Sequence, residues 1–185
     1  MREHLNDGII AIKKIVTEHV PLLHQAAFES REELKIWLPW CHSDYKIEET
    51  KDWVKFQQKA WNDKLEFSFG VFEADSKRFI GGCGINQINW IHKIGNLGYW
   101  IKTDAAGKGY ASAAAKLCAA FGFIDLELNR LEIIAAKDNI ASQRVAEKTG
   151  ATKECLARKR LKVGDKIHDA FVYSLVKEDI IKNMV

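Results

Sequence analysis

The sequence has only two prolines, Pro21 and Pro39, and no Pro/Ser-rich tract, repeat or low-complexity stretch. That excludes an extended linker between separate bodies. Cysteine is sparse as well. Cys41, Cys83, Cys118 and Cys155 stand far apart, with no CxxC and no Cys/His cluster. The spacing supports neither a zinc site nor a disulfide framework, so no metal is expected. The four read as free thiols in a reducing compartment and most simply as small core residues. No run approaches the length of a membrane span, and "MREHLNDG" carries no apolar signal segment. The expected protein is soluble and cytoplasmic, with no membrane partner. A dominant charge is lacking too. Lys+Arg minus Asp+Glu is 28 − 25 = +3, which does not mark a nucleic-acid binder. The most basic run, "ARKRLK" (157–162), reads as a solvated strand face, or as one that attracts an acidic protein substrate.

What is present is a core. The chain has 185 residues, of which 47% are hydrophobic, enough for one domain over 1–185. "GIIAIKKI" reads as a first strand. Apolar spacing from Val20 to Trp37 predicts one or two helices, and "EETKDWVKFQQKAWND" predicts another, with Trp53, Phe56, Ala60 and Trp61 on one side. "EFSFGVFE" and "RFIGGCGINQI" flank the turn-rich "ADSK" and predict a hairpin. "IGNLGYWIK" follows as a third strand, then a helix over 109–126. "RLEIIAA" is a strand, "NIASQRVAEKTGA" a short helix closed by Gly150, and "HDAFVYSLV" a last strand. The order is strand, helices, three strands, helix, strand, helix, strand. It describes an α/β (α+β) domain with a mixed sheet.

The segment "GYWIKTDAAGKGYASAAAK" (98–116) carries the first chemical signal. A helix start leaves backbone N–H groups unpaired and adds partial positive charge, so it suits a phosphate. Gly107 and Gly109 remove side chains that would block close approach, and Lys108 adds a mobile charge. "AAGKGYAS" after a strand is thus a plausible pyrophosphate cradle, with amides from about Lys108 to Ser112 as donors. A plain turn is the alternative. Neither a Walker loop nor GxGxxG is present.

"LGYWIKTDAAGKGYASAAAKL" resembles motif A of the GNAT acetyltransferases, whose loop Q/R-x-x-G-x-G/A lies between a strand and a helix. The frame here is Ala106-Gly107-Lys108-Gly109-Tyr110-Ala111, with Ala106 in place of the usual Gln or Arg. "NRLEIIAAKDNIASQRVAEKTGA" resembles the next motif, a strand followed by N-x-x-S and a helix. With "LKIWLPW", "INQINW" and "ECLARKRLKVGDKIHDAFVYSLVKED", nearly the whole chain is similar to the ribosomal-protein N-terminal acetyltransferase branch (RimJ/RimL type). The resemblance implies a GNAT fold, a mixed but mostly antiparallel central sheet flanked by helices. It implies acetyl-CoA as co-substrate and direct transfer to an amine, expected to be the α-amine of a protein of the ribosomal type. Either a monomer or a homodimer fits.

The same resemblance implies site residues. The strand amides at Tyr99, Trp100 or Ile101 would hold the thioester carbonyl. Residues 106–112, including Ser112, would bind the phosphates. Asn139 would contact the cofactor, its alternative being a helix N-cap. Ser142 would protonate the thiolate or bind CoA. Trp37, Trp40 and Trp90 would line the acceptor cleft, and His168-Asp169 would form a structural pair. The departures fall on proton transfer: the family carboxylate positions hold Asn96 and Leu161, and its tyrosine position holds Ala146. Asn96 can orient a water or a substrate but takes no proton, so water-mediated deprotonation is expected, which favours an α-amine over a lysine. The alternatives are a small-amine acetyltransferase, which a carboxylate-lined cleft would support, and a non-catalytic acyl-CoA sensor. Gly109→Val is expected to weaken acetyl-CoA binding tenfold or more, about 1.4 kcal/mol.

Overall fold

Asn6, Asp7 and Gly8 supply the first turn. Asn6 Oδ1 accepts the Gly8 N–H at 2.6 Å, Asp7 Oδ1 accepts the amides of Ile9 and Ile10 at 2.9 Å, and Gly8 has φ +88°. Such side-chain turns reverse a chain in few residues. They pair β1 (His4–Asn6) with β2 (Ile10–Lys14) antiparallel. The expected first strand is therefore shorter than "GIIAIKKI" and has a three-residue partner, too brief for any periodicity to show. The protein, seen as a computed structural model, is described over residues 1–181. The last four residues of the expected domain lie outside the described ones.

Helices α1 (Val20–Glu29) and α2 (Arg31–Leu34) divide the first apolar stretch, and α3 (Ile47–Asn62) follows. The face of α3 differs from the expected one. Thr50, Val54, Gln57 and Trp61 are inward, at helical spacing, whereas Trp53 and Phe56 are exposed. Two polar residues take inward positions because each has a partner: Thr50 bonds Tyr45 and Gln57 bonds Glu66 and Ser68.

Six more strands complete the sheet: β3 (Phe67–Glu73), β4 (Phe79–Asn89), β5 (Ile94–Ile101), β6 (Arg130–Ala136), β7 (Thr152–Val163) and β8 (Lys166–Val176). Among the described residues the sheet has eight strands in the order β1-β2-β3-β4-β5-β6-β8-β7. Neighbours are antiparallel except β5 and β6. The predicted mixed, mostly antiparallel α/β (α+β) sheet is what forms. The exposed strand β7 was missing from the predicted order, though its "ARKRLK" core reads as a strand. As an edge strand with solvent on most of its side chains it has no apolar alternation to detect.

Helix α4 (Tyr110–Ile124) buries Ala114, Ala115, Cys118 and Phe121 on the sheet. Phe121 meets Trp61, Phe67 and Phe69 with ring centroids 5.0–5.6 Å apart. A second cluster, Val20, Leu23, Val54, Phe72 and Phe79, joins α1 and α3 to β3 and β4. Helix α5 (Ile140–Thr149) ends at Gly150 with φ +98°, as expected of a C-cap glycine, and α6 (Lys177–Ile181) follows β8. Three cysteines are buried as expected, but Cys155 is exposed because it lies on β7.

Candidate active site

Gly107 and Gly109 have φ +79° and +84°, the left-handed region that favours glycine. A Cβ on either would meet nothing within 4 Å. The turn is thus both conformationally glycine-dependent and open on its outer side. It delivers the chain into α4 with Gly109 as N-cap, and no side chain caps that end. The first-turn amides at Tyr110, Ala111 and Ser112 have no intrahelical acceptor, while Ser112 Oγ donates to the Gly109 carbonyl at 2.9 Å. Ala106, Gly107, Gly109, Tyr110, Ala111 and Ser112 all line one cleft of about 700 Å³. Lys108 is exposed beside it.

The turn is held from both sides. Lys102 Nζ donates to Glu29 at 2.5 Å and Ser30 Oγ accepts the Thr103 N–H at 3.0 Å, tying α1 and α2 to the strand end before it. Tyr110 O–H donates to Glu73 Oε1 at 3.3 Å, and Arg78 and Ser76 donate to the same carboxylate. The Arg78 guanidinium, then Ser76, hold the Glu73 carboxyl down to about 2. A carboxylate with a depressed folded-state pKa contributes stability that is present above its unfolded pKa and lost as pH falls through the folded value. Melting temperature should therefore fall between about pH 5 and pH 2, and Glu73→Gln should flatten part of that slope in a thermal scan across pH. An unchanged slope in the variant would remove Glu73 from the account.

Beside the turn the sheet opens. β5 pairs with β4 from Asn96 to Ile101, but with β6 only at Ile94, Gly95 and Asn96. Beyond Asn96 the parallel strands part. Lys102 N–H donates to the Ile80 carbonyl on the β4 side at 2.8 Å, and strand amides alternate in direction. Those of Trp100 and Gly98 therefore face β4, and those of Tyr99 and Ile101 face the gap. Of the three candidate amides, two point where a ligand could reach them. The Trp100 side chain instead lies over Gly82 and packs edge-on to Trp40 at 5.9 Å.

Across the gap stands α5. Asn139 caps it, accepting the Ser142 N–H at 3.0 Å, so the N-cap alternative is the one the geometry displays. Ser142 Oγ lies 3.2 Å from the Tyr99 phenol, which donates to the Ser142 carbonyl at 2.9 Å. Burial pushes the Tyr99 phenol up to about 12, so near neutrality it remains a proton donor. Ala146, the expected tyrosine position, is fully buried on the inner face of α5. A tyrosine from the opposing strand stands at the cleft instead. Sequence reasoning considered only the backbone of Tyr99; its alternation with Trp100 on β5 is the signal that could have found the phenol.

A second cleft, of about 620 Å³, lies on the other side of β5 and shares Gly98, Tyr99 and Trp100 with the first. Trp40, Tyr45 and Trp53 wall it, and it contains two carboxylates that sequence reasoning missed, Glu49 and Glu66. Glu49 Oε1 accepts the Lys46 N–H at 2.8 Å, and its Oε2 lies 2.9 Å from His42 Nε2. The Lys46 amide, then His42, lower its pKa. Asn96 donates to Asn86 Oδ1 at 2.9 Å. Trp37 lines the first cleft, edge-on to His168 at 5.8 Å. Trp90 is elsewhere, its indole donating to the Lys64 carbonyl beside Asp63 and Asp125. It leaves the expected acceptor group because the strand β4 has ended before it. His168 and Asp169 do not form a pair with each other: Asp169 Oδ1 accepts the Lys159 N–H at 2.9 Å. Leu161 lines the first cleft.

Residues 10–152 match the acetyltransferase (GNAT) domain family. YjcK of Bacillus subtilis, provisionally named an N-acetyltransferase, is 32% identical over 127 residues, covering 68% of this chain and 70% of its own. YdaF of the same organism, provisionally named a ribosomal N-acetyltransferase, is 27% identical over 175 residues and 92% of each chain. Among solved structures, RimL, a ribosomal L7/L12 α-N-protein acetyltransferase in complex with coenzyme A, superposes with TM-score 0.86. It is 22% identical, with 94% of this chain and 98% of that one covered, which is a likeness of fold.

Proposed function

The chain belongs to the acetyltransferase (GNAT) family, and from that premise we propose that it transfers the acetyl group of acetyl-CoA to a primary amine, the α-amine of a protein in particular. The observation that carries this reading is the parting of β5 and β6 beside the glycine turn. It puts free strand amides and free helix-start amides along one cleft, as a thioester joined to a pyrophosphate requires. The fit is good on the chain's own residues: both glycines leave open space where a Cβ would stand. Acetyl-CoA supplies the activated acyl carbon.

The residues divide the work. The amides from Lys108 to Ser112 bind phosphate, helped by the α4 dipole. The Tyr99 or Ile101 N–H holds the carbonyl oxygen as negative charge grows on it, a contribution that strengthens toward the transition state. Ser142 Oγ, in hydrogen-bond reach of the Tyr99 phenol, returns a proton to the departing sulfur. Asn139 shapes the α5 end that presents Ser142. Asn96, bonded to Asn86, orients the acceptor. The protein acceptor draws support from the naming of YdaF, and a cytoplasmic setting goes with it.

A second reading is favoured by the aromatic cleft with Glu49 and Glu66, since such a lining suits a small cationic amine. Release of free CoA from acetyl-CoA should be measured with peptides bearing free Ser, Ala and Met N-termini, an N-blocked lysine peptide and spermidine. Turnover confined to free N-termini is the expected result. Turnover with spermidine alone would transfer the assignment to the small-amine enzyme. Binding of acetyl-CoA with silence across the panel would leave a sensor.

A further inference from the structure

The missing carboxylates leave the ammonium without a base, and the sheet places one two strands away. In the ladder, Phe67 is opposite Ile85 and Asn86 is opposite Asn96. One residue before Phe67, Glu66 thus continues the row Asn96–Asn86 across β5, β4 and the start of β3. The family's carboxylate position is the first member of that row; this chain has a carboxylate at the third. On the basis of the acetyl-transfer reading above, we propose that Glu66 is the general base that takes the proton from the acceptor ammonium.

Glu66 lines the cleft that shares Gly98, Tyr99 and Trp100 with the first cleft. It is also held in place. Ser68 Oγ donates to Gln57 Oε1 at 2.7 Å, which turns the Gln57 amide nitrogen toward Glu66, and that nitrogen donates to Glu66 Oε2 at 2.9 Å. Gln57 is buried, at 4% exposure. A buried glutamine whose two ends are both engaged fixes the carboxylate it serves. One Glu66 oxygen is bound in this way and the other can accept a proton. Glu49, the rival in the same cleft, has one oxygen on the Lys46 amide and the other against His42, so it serves as the α3 capping box and is a poorer base.

The step balances. Glu66 removes one proton from R–NH3+, and the freed lone pair forms the C–N bond. The C–S bond breaks, the sulfur takes a proton from the Ser142–Tyr99 side, and the second amine proton is returned to the donor side through solvent. Glu66 then gives its proton to water. The net release is one proton, one CoA thiol and the acetamide.

The test is a pH–rate profile of Glu66→Gln and Glu66→Asp beside the unchanged protein, with the same acceptor panel and acetyl-CoA binding by calorimetry. At pH 7 Glu66→Gln should lose about 10²-fold in kcat and bind acetyl-CoA as before. The deficit should shrink as pH rises past the pKa of the acceptor amine, because solvent then supplies the free base. Glu66→Asp should keep part of the rate. An E66Q protein with an undiminished kcat, or with an equal loss at every pH, would overturn the base assignment while leaving acetyl transfer standing. An unchanged protein that transfers to no amine would overturn both.

Discussion

Gly109→Val abolishes tight acetyl-CoA binding while the sheet stays folded: this is the result expected from calorimetric titration beside a thermal melt. Two effects combine. At φ +84° a β-branched residue is strained, so the turn relaxes toward another conformation. The Cβ would also stand in space that is open, where the reading above puts phosphate. Losing two charge-assisted hydrogen bonds at about 1.5–3 kcal/mol each lowers affinity by a factor on the order of 10² or more. Gly109→Ala separates the effects: it keeps most of the strain and adds little bulk, so it should fall between the two. The turn is distant from the aromatic cluster of Trp61, Phe67, Phe69 and Phe121 that anchors α4, so the melting temperature should move by a few degrees only. Unchanged affinity in the valine variant would mean the phosphates lie elsewhere.

What the sequence disclosed about this site follows a physical line. A glycine with positive φ, a strand ending in it and a helix starting from it are local features, and local features leave marks in sequence. The glycine turn at 106–112 was legible for that reason, and the Asn139 cap was there as the alternative to a cofactor contact. Side-chain partnerships across strands are not local. Glu66 and Asn96 are thirty residues apart in the chain and fall into one row only through the register of β3 on β4 and β4 on β5. Tyr99 reaches Ser142 only because β5 leaves β6. The inward face of α3 was misread because aromatic residues were given the core, when Gln57 and Thr50 had partners waiting and Trp53 had a cleft to wall. Strand β7 showed little in its pattern because the solvent, not a core, meets most of its side chains.

Gly98 makes the sharpest test of how the two clefts work together. Its neighbours in the ladder are Gly84 and, beyond it, Ser68, so the floor between the clefts is nearly bare of side chains. Unlike Gly107 and Gly109 it has no positive φ, and a Cβ on it would meet nothing within 4 Å. A central strand gains nothing in stability from such a glycine and loses some; what it gains is room. Gly98 lines both clefts, and room at that point is where an acceptor amine in one cleft would approach the acyl carbon in the other. Gly98→Phe should therefore fold, with a melting temperature equal to or above the unchanged protein's, because the backbone suits an aromatic strand residue. It should lose acetyl transfer by on the order of 10³-fold, since a displacement of about 1 Å in a reacting pair can already cost about 10². The glycine cradle is untouched, so phosphate-dependent binding of CoA should weaken far less than turnover. Transfer within about tenfold of the unchanged rate would show that donor and acceptor meet somewhere other than over Gly98.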